Sequence, residues 1–210
     1  MSYWDLRFQR EGRIWGDEPS RTVIYATDIF REHSIDGVLV GGSGYGRNAE
    51  ALAQSGLSVS GLELSNVAYQ MAVQSCKQKR LSITYSLGDL LNMPYKDNVF
   101  GGIYCFNALH LFLENDRMRL VGETFRVLKP SGLALFTVFS EKDPSFGIGE
   151  EVEPNTYESK KGRPSHYFTE HDLNSNFSTF KILFHKAIYE EENHDPGPHA
   201  HLLRLILAQK

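Results

Sequence analysis

Residues 38–49 read VLVGGSGYGRNA. This stretch begins as a buried apolar run, continues as a glycine-rich turn and ends where a helix can begin. Three alternating glycines, Gly42, Gly44 and Gly46, permit a tight turn and the close approach of a ligand, because they carry no Cβ. A buried strand followed by such a turn and a helix is typical of nucleotide-binding sites. The stretch therefore predicts that the chain binds a nucleotide.

Strands and helices alternate on the C-terminal side of this turn. Apolar runs predict strands over 37–41, 57–63, 82–86, 99–106 and 133–139, and helical spacing predicts helices over 45–55, from Ser65 onward and over 114–128. This alternation predicts an α/β fold, a doubly wound and mostly parallel seven-stranded sheet with helices on both faces. Two further runs, 177–188 and 202–208, predict an antiparallel strand pair that closes the sheet.

The chain has 210 residues, which is the length of one domain. We expect 1–36 to be an N-terminal leader and helix, 37–139 a cofactor-binding core, and 169–210 a C-terminal helix with the antiparallel strand pair. Residues 140–168 are rich in charged residues, glycine and proline, and they read as a long loop or insertion that covers the site.

Composition excludes several classes of protein. The formal net charge is −4 with no basic block, which argues against a nucleic-acid partner. Cys76 and Cys105 are not part of a CxxC motif and predict no disulfide framework. No apolar run approaches the roughly 18 residues of a membrane span, and the N-terminus is too charged for a secretory signal. We expect a cytoplasmic protein without a membrane partner, and no pattern indicates its oligomeric state.

The identity of the nucleotide depends on residues outside the turn. GYGRNA at 44–49 matches the GxGxxA motif of dinucleotide enzymes, but this match alone is weak. Glu63 ends the second strand and can hold ribose hydroxyls in either class. Asp89 lies in the loop GDLLNMPYKDN and can accept a hydrogen bond from an exocyclic amine. Because a dinucleotide enzyme has no general need of that loop, an NAD(P)-dependent oxidoreductase is the weaker alternative.

Five segments over residues 37–139 together carry a family resemblance: VLVGGSGYGRNA, VSGLELS, GDLLNMPYKDNVF, FNALHLF and FRVLKPSGLALFTVF. In this order the chain resembles a class I S-adenosylmethionine-dependent methyltransferase. Its opening, YWDLRFQREGRIWGDEPS, resembles the leader of the small-molecule branch of tellurite-resistance and thiopurine-type methyltransferases. The resemblance implies S-adenosylmethionine as cofactor and methyl transfer to a small-molecule or metalloid acceptor.

The resemblance also implies a role for individual residues along the cofactor. Gly42, Gly44 and Gly46 would pass under its methionine part, Glu63 would hold both ribose hydroxyls, and Leu64 would lie against the adenine.

Four further residues complete the implied cofactor site. Asp89 would meet the adenine amine with Leu90 beside it, Asn107 would lie near the methionine end, and Trp15 would cover the cofactor. Core packing or helix capping is the alternative for Leu64, Leu90, Asn107 and Trp15.

Two positions depart from the family pattern. Val40 and Gly101 stand where the family usually has acidic residues. A carboxylate at position 40 would help to hold the ammonium group of the methionine part. Its absence would remove about one charge-assisted hydrogen bond, on the order of 1.5–3 kcal/mol of binding free energy. A third hypothesis is therefore a non-catalytic S-adenosylmethionine-binding protein on the same scaffold.

Histidines supply the remaining candidates, and none is assigned as catalytic or as a metal ligand. His110 follows the fourth strand and is either a proton acceptor or, more commonly for such a position, a structural residue. His194, His199 and His201 lie around the PGP segment. An exposed hairpin turn is the favoured interpretation, and contact with the substrate or a metal ion are the alternatives.

Overall fold

The helices and strands follow the predicted alternation. The computed structural model describes residues 2–194 and 197–210, without the side chains of Asn193 and His194. In chain order the described elements are α1 (Tyr3–Glu11), α2 (Thr22–Glu32), β1 (Gly37–Gly41), α3 (Arg47–Gln54), β2 (Ser58–Glu63), α4 (Asn66–Gln78), β3 (Ile83–Leu87), β4 (Phe100–Phe106), a 3₁₀ helix (Leu109–Leu111), α5 (Glu114–Val127), β5 (Leu128–Phe139), β6 (Glu150–Glu153), β7 (Thr156–Lys160), β8 (Arg163–His166), α6 (Glu170–Asn176), β9 (Lys181–His194) and β10 (Gly197–Gln209).

Seven of these strands form one sheet in the order β3-β2-β1-β4-β5-β10-β9. The pairs from β3 to β5 are parallel, and β10 pairs antiparallel with both β5 and β9. The strand order reverses between β1 and β4, and ligands of such sheets bind at the carboxyl ends of the strands at this point. The predicted doubly wound, mostly parallel seven-stranded fold is confirmed.

Apolar layers cover both faces of the sheet. Along β5, Ala134, Phe136 and Val138 pack into one layer, whereas Leu133 and Leu135 pack into the other. Every residue of β5 from Leu133 to Phe139 is buried, as the continuous apolar run predicts for a strand with helices on both sides. The N-cap prediction for Ser65 is also confirmed, since its hydroxyl accepts a hydrogen bond from the backbone N–H of Ala68 at 3.2 Å.

Three boundaries differ from the sequence-based expectation. The insertion contains a three-stranded antiparallel sheet, β6-β7-β8, where a loop is predicted. β5 begins at Leu128 and includes Pro130, because the pairing with β4 shifts register there and a bulge tolerates the missing N–H.

The third difference is at the C-terminal hairpin. β9 and β10 continue into the segment predicted as a turn, with His199 opposite Glu192 and His201 opposite Glu190. These polar cross-strand pairs extend a ladder that hydropathy alone does not reveal.

None of the helices in the described parts of the chain has the length and apolar character that crossing a bilayer requires.

Candidate functional site

A cavity of about 400 Å³ opens at the carboxyl ends of β1, β2 and β4, beside the point where the strand order reverses. It is the place at which the fold predicts a ligand. Eight of the nine residues predicted for the cofactor line it, and Gly46 does not. The eight are Trp15, Gly42, Gly44, Glu63, Leu64, Asp89, Leu90 and Asn107.

The glycine-rich turn forms the floor of this cavity. Gly42 and Gly44 have φ angles of +64° and +55°, which other residues adopt at a cost. A Cβ at Gly42 would lie 3.1 Å from Cβ of Ala108, whereas a Cβ at Gly44 would have no neighbour within 4 Å. Gly44 therefore borders open space, and a side chain there would project into volume that a ligand can use.

Glu63 stands at the end of β2 and is 7% exposed. Its carboxylate accepts hydrogen bonds from the backbone N–H of Gly44 at 2.7 Å and of Ser65 at 2.8 Å. Burial raises the pKa of Glu63, and these backbone donors oppose that shift. The carboxylate thus joins the glycine turn to the start of α4 while it faces the cavity.

Asp89 and Leu90 follow β3 and bring a second acidic residue to the same edge. The Asp89 carboxylate accepts a hydrogen bond from the backbone N–H of Leu91 at 2.9 Å, which fixes the loop. Leu90 is 8% exposed and belongs to the core, but it also forms part of the cavity wall. Leu64 lines the cavity with 51% of its surface exposed.

Asn107 lies just past β4 with φ of +50°, a conformation that asparagine tolerates better than most residues. Its side-chain oxygen accepts a hydrogen bond from the Thr137 hydroxyl at 3.0 Å, and its backbone N–H donates to the same hydroxyl at 3.0 Å. The contact with β5 holds Asn107 at the cavity edge. The alternative of a helix cap is not observed, because Ala108 precedes the 3₁₀ helix as its cap residue.

Gly46 is the one predicted cofactor residue that does not line the cavity. It precedes α3 with φ of +94°, and a Cβ there would lie 2.6 Å from Oη of Tyr85 and 3.3 Å from Cβ of Ala72. Glycine is therefore required for packing against β3 and α4, and Gly46 contributes to the site by setting where α3 begins.

The leader forms one wall of the cavity. The rings of Trp15 and Tyr45 are stacked with centroids 6.2 Å apart. The Tyr45 hydroxyl accepts a hydrogen bond from the backbone N–H of Trp15 at 3.0 Å and donates to the carbonyl of Gly16 at 2.8 Å. Arg7 of α1 lines the same wall, with its guanidinium 5.6 Å from the Trp15 ring centroid. Sequence reasoning missed Arg7, because its spacing is that of an ordinary exposed helix residue.

The far end of the cavity contains side chains from the 3₁₀ helix, β5 and the segment after β8. His110 stacks on Phe139 with centroids 4.1 Å apart, and Tyr167 stacks on the same ring at 5.6 Å. Burial lowers the pKa of His110 well below its usual range. Its Nδ1 is buried, with no hydrogen-bond partner among the described residues. The histidine therefore presents a neutral imidazole to the cavity wall.

Three kinds of comparison with known proteins bear on this site. Residues 39–136 match the model of a methyltransferase domain family. Residues 39–136 form a methyltransferase domain. The chain is also 37% identical over 100 residues to the glycine/sarcosine/dimethylglycine N-methyltransferase of Actinopolyspora halophila, a match that covers 46% of this chain and 17% of the relative. Across three curated relatives the chain spans between 17% and 52% of their length.

Solved structures agree with the methyltransferase domain in fold. The 1,6-didemethyltoxoflavin-N1-methyltransferase of Burkholderia thailandensis, determined with bound S-adenosylhomocysteine, superimposes with a TM-score of 0.73 at 18% identity, covering 98% of this chain and 84% of that one. TehB from Haemophilus influenzae superimposes with a TM-score of 0.68 at 17% identity, covering 99% of this chain and 67% of that one. The predicted resemblance to methyltransferases is confirmed over residues 39–136, and these solved structures share the fold of the whole chain.

Both departures from the family pattern lie inside the methyltransferase domain, and neither residue lines the cavity. Val40 is 2% exposed and packs in the apolar layer that includes Tyr104. A Cβ at Gly101 would lie 3.2 Å from Cγ2 of Ile35, so this position is also filled by apolar packing. Apolar neighbours surround both positions in this structure.

The histidines of β10 lie outside the methyltransferase domain but reach its cavity. His199 and His201 are half-buried and line the far end, so the favoured interpretation of an exposed turn is wrong for these two. The error has a physical cause: their alternation places both on one face of a strand, and this face is turned toward the site. The side chain of His194 lies outside the described residues.

Proposed function

We propose that this chain transfers the methyl group of S-adenosylmethionine to a small-molecule acceptor. The observation that carries the proposal is a continuous cavity whose two ends differ in chemistry. One end has the glycine turn and Glu63, and the other has aromatic and imidazole side chains from outside residues 39–136. A cofactor and a second reactant can thus meet within one cavity.

The residues at the first end fit the cofactor. Open space above Gly44 admits the methionine part, Glu63 supplies a carboxylate for the ribose hydroxyls, and Asp89 supplies an acceptor for the adenine amine. We propose that Leu64 and Leu90 enclose the adenine and that Trp15 covers the cofactor. Gly42 and Asn107 complete the methionine end, and Gly46 acts through the placement of α3.

When bound, S-adenosylmethionine supplies an activated methyl group on a sulfonium. The chain's own contribution is to hold the acceptor in line with that group and to exclude water. Phe139 and Tyr167 provide an apolar surface against which an acceptor ring or chain can lie. His110 lines the same end as a neutral imidazole and can contact the acceptor. No side chain is assigned a catalytic role.

We also propose that residues 1–210 act as one domain, in which 1–36 and 140–168 cover the core formed by 37–139. The strand pair of 169–210 then supplies the acceptor end. The net charge of −4 favours a small-molecule acceptor over nucleic acid, and a cytoplasmic location fits the composition. No observation favours an oxidoreductase.

Calorimetric titration of the full chain with S-adenosylmethionine and S-adenosylhomocysteine tests the proposal, with NAD and NADP as controls. We expect micromolar binding of the two sulfur ligands and none of the dinucleotides. Glu63→Ala removes the ribose acceptor and should weaken binding at least tenfold, as the loss of one charge-assisted hydrogen bond predicts. The matched Glu32→Ala changes an exposed glutamate of α2 and should bind like wild type.

Turnover separates the enzyme from a non-catalytic binding protein. Release of S-adenosylhomocysteine above the buffer rate with any acceptor from a panel of thiols, amines, phenols and metalloid oxyanions would support the enzyme. Tight cofactor binding without turnover across such a panel would favour the non-catalytic alternative. Failure to bind either sulfur ligand would contradict both.

A further inference from the structure

Three potential metal ligands meet at the acceptor end of the cavity. Glu192 on β9 lies directly opposite His199 on β10, and His201 follows two residues later on the same face. One ligand atom from each of these residues lies within 4.8 Å of those from the other two. All three residues are half-buried and line the cavity. The hairpin register therefore brings two imidazoles and a carboxylate to one point.

Hydrogen bonds orient both imidazole rings. Nδ1 of His199 lies 2.8 Å from the carbonyl of Gly197, which can only accept, so this nitrogen carries the proton. Nδ1 of His201 lies 3.1 Å from the carboxylate of Asp143. When Nδ1 is used in this way, Nε2 is the nitrogen that can bind a metal. A carboxylate or carbonyl behind each imidazole is the usual outer shell of a metal-binding histidine.

Asp143 is itself firmly held. Its side chain is fully buried and accepts hydrogen bonds from the backbone N–H of Leu202 at 2.7 Å and of Ser145 at 2.8 Å. The carboxylate thus connects the start of the insertion to β10 beside His201. A buried carboxylate with several fixed donors is a rigid support for the imidazole ring that it faces.

We propose that Glu192, His199 and His201 bind a divalent transition-metal ion, with Zn²⁺ as the best match. Two imidazoles and one carboxylate are a ligand set that catalytic zinc sites use, with another position left for water or substrate. Mg²⁺ and Ca²⁺ prefer sets made of oxygen atoms, and two imidazoles disfavour them. Small side-chain rotations can bring the three ligand atoms to the Zn–N and Zn–O distances of about 2.0–2.2 Å.

The position of this site suggests its use, and that part of the inference rests on the proposed function. His201 stacks on Phe139 with centroids 4.6 Å apart, and Phe139 also contacts His110. The ion would therefore lie beside the acceptor. A thiol or hydroxyl acceptor that binds a divalent ion loses its proton to solvent near neutral pH. The acceptor atom then forms a bond to the methyl carbon as the carbon–sulfur bond of the sulfonium breaks, with no oxidant or reductant required.

Metal binding can be measured without any acceptor. The full chain without a histidine tag is treated with chelator and titrated with ZnCl₂ by calorimetry, and Co²⁺ is added separately to record visible absorption from a low-symmetry site. We expect one equivalent of Zn²⁺ to bind. Glu192→Gln should weaken binding at least tenfold and His201→Asn at least a hundredfold, and Mg²⁺ should give no heat. The matched control His171→Asn changes an exposed histidine of α6 and should bind Zn²⁺ like wild type.

Two results would overturn the metal site: substoichiometric binding by wild type, or equal affinity in wild type, Glu192→Gln and His201→Asn. Glu192→Gln is nearly isosteric, so it remains informative if His201→Asn does not fold. S-adenosylhomocysteine is titrated into the same samples. Its binding reports on the proposed function, so the loss of one ligand without the other shows which proposal has failed.

Discussion

Replacing Gly46 with alanine tests how the turn before α3 is built. The φ angle of +94° is unfavourable for alanine and costs about 1–2 kcal/mol. The new Cβ would also lie 2.6 Å from the hydroxyl oxygen of Tyr85, and overpacking of this kind costs about 1–3 kcal/mol. Gly46→Ala should therefore lower the free energy of unfolding by about 2–5 kcal/mol.

The two contributions can be separated with Tyr85→Phe. The Tyr85 hydroxyl is buried without a hydrogen-bond partner among the described residues, so its removal alone should be neutral or slightly stabilising. In the double variant the nearest remaining neighbours are Cβ of Ala72 at 3.3 Å and Cζ of residue 85 at 3.4 Å, which are tolerable contacts. The steric cost should disappear, and about 1–2 kcal/mol for the backbone should remain.

Urea unfolding followed by circular dichroism gives the four free energies of this double-mutant cycle. We expect a coupling energy of at least about 1 kcal/mol between the two substitutions. Gly56→Ala is the control, because Gly56 has a similar φ of +93° but no atom within 4 Å of a new Cβ. If the changes in the free energy of unfolding at Gly46 and Tyr85 are additive within about 0.5 kcal/mol, contact with Tyr85 is not the reason why residue 46 must be glycine.

Three further substitutions test contacts that hold the elements around the site. Tyr45→Phe leaves the backbone N–H of Trp15 without its partner and should cost about 1–2 kcal/mol in urea unfolding, together with weaker S-adenosylhomocysteine binding. The hydrogen bond from Ser65 lowers the pKa of Asp5 from 3.8 to about 2, so Asp5 stabilises the fold above pH ~4 and loses this effect as the pH falls toward 2. The difference in thermal midpoint between wild type and Asp5→Asn should therefore decrease as the pH falls from about 4 to 2. A difference that stays constant over this range would contradict the stabilising role of the Asp5 carboxylate. Asp143→Asn should weaken Zn²⁺ binding about 10–100-fold without changing stoichiometry, as calorimetry would show.

The sequence predicts that the residues of the proposed cofactor end lie together, because they follow the strands directly. Gly44 follows β1, Glu63 ends β2 and Asp89 follows β3, so each position is fixed by a strand that hydropathy reveals. Parallel strands bring their carboxyl ends to one edge, and the loop order then places the residues around one ligand. Gly46 differs from the other two glycines, and spacing within a turn does not show which glycine faces the cavity and which faces Tyr85.

The acceptor end could not be predicted because it depends on contacts between distant parts of the chain. His201 is 58 positions from Asp143, and the two meet only because β10 lies against β5. The insertion also folds into its own small sheet, although its charged composition is typical of a loop. Composition cannot reveal strands whose pairing partners are other polar segments.

The two ends of the cavity also differ in what their substitutions should affect. The cofactor end contains the glycine turn and side chains at the ends of parallel strands, so it depends on the stability of the central sheet. The acceptor end also contains Tyr167, His199 and His201, which project from the insertion and from the edge hairpin. Changes at these three positions leave the parallel strands intact. They should therefore alter which acceptor is methylated, and whether a metal ion binds, while affinity for S-adenosylhomocysteine stays near the wild-type value.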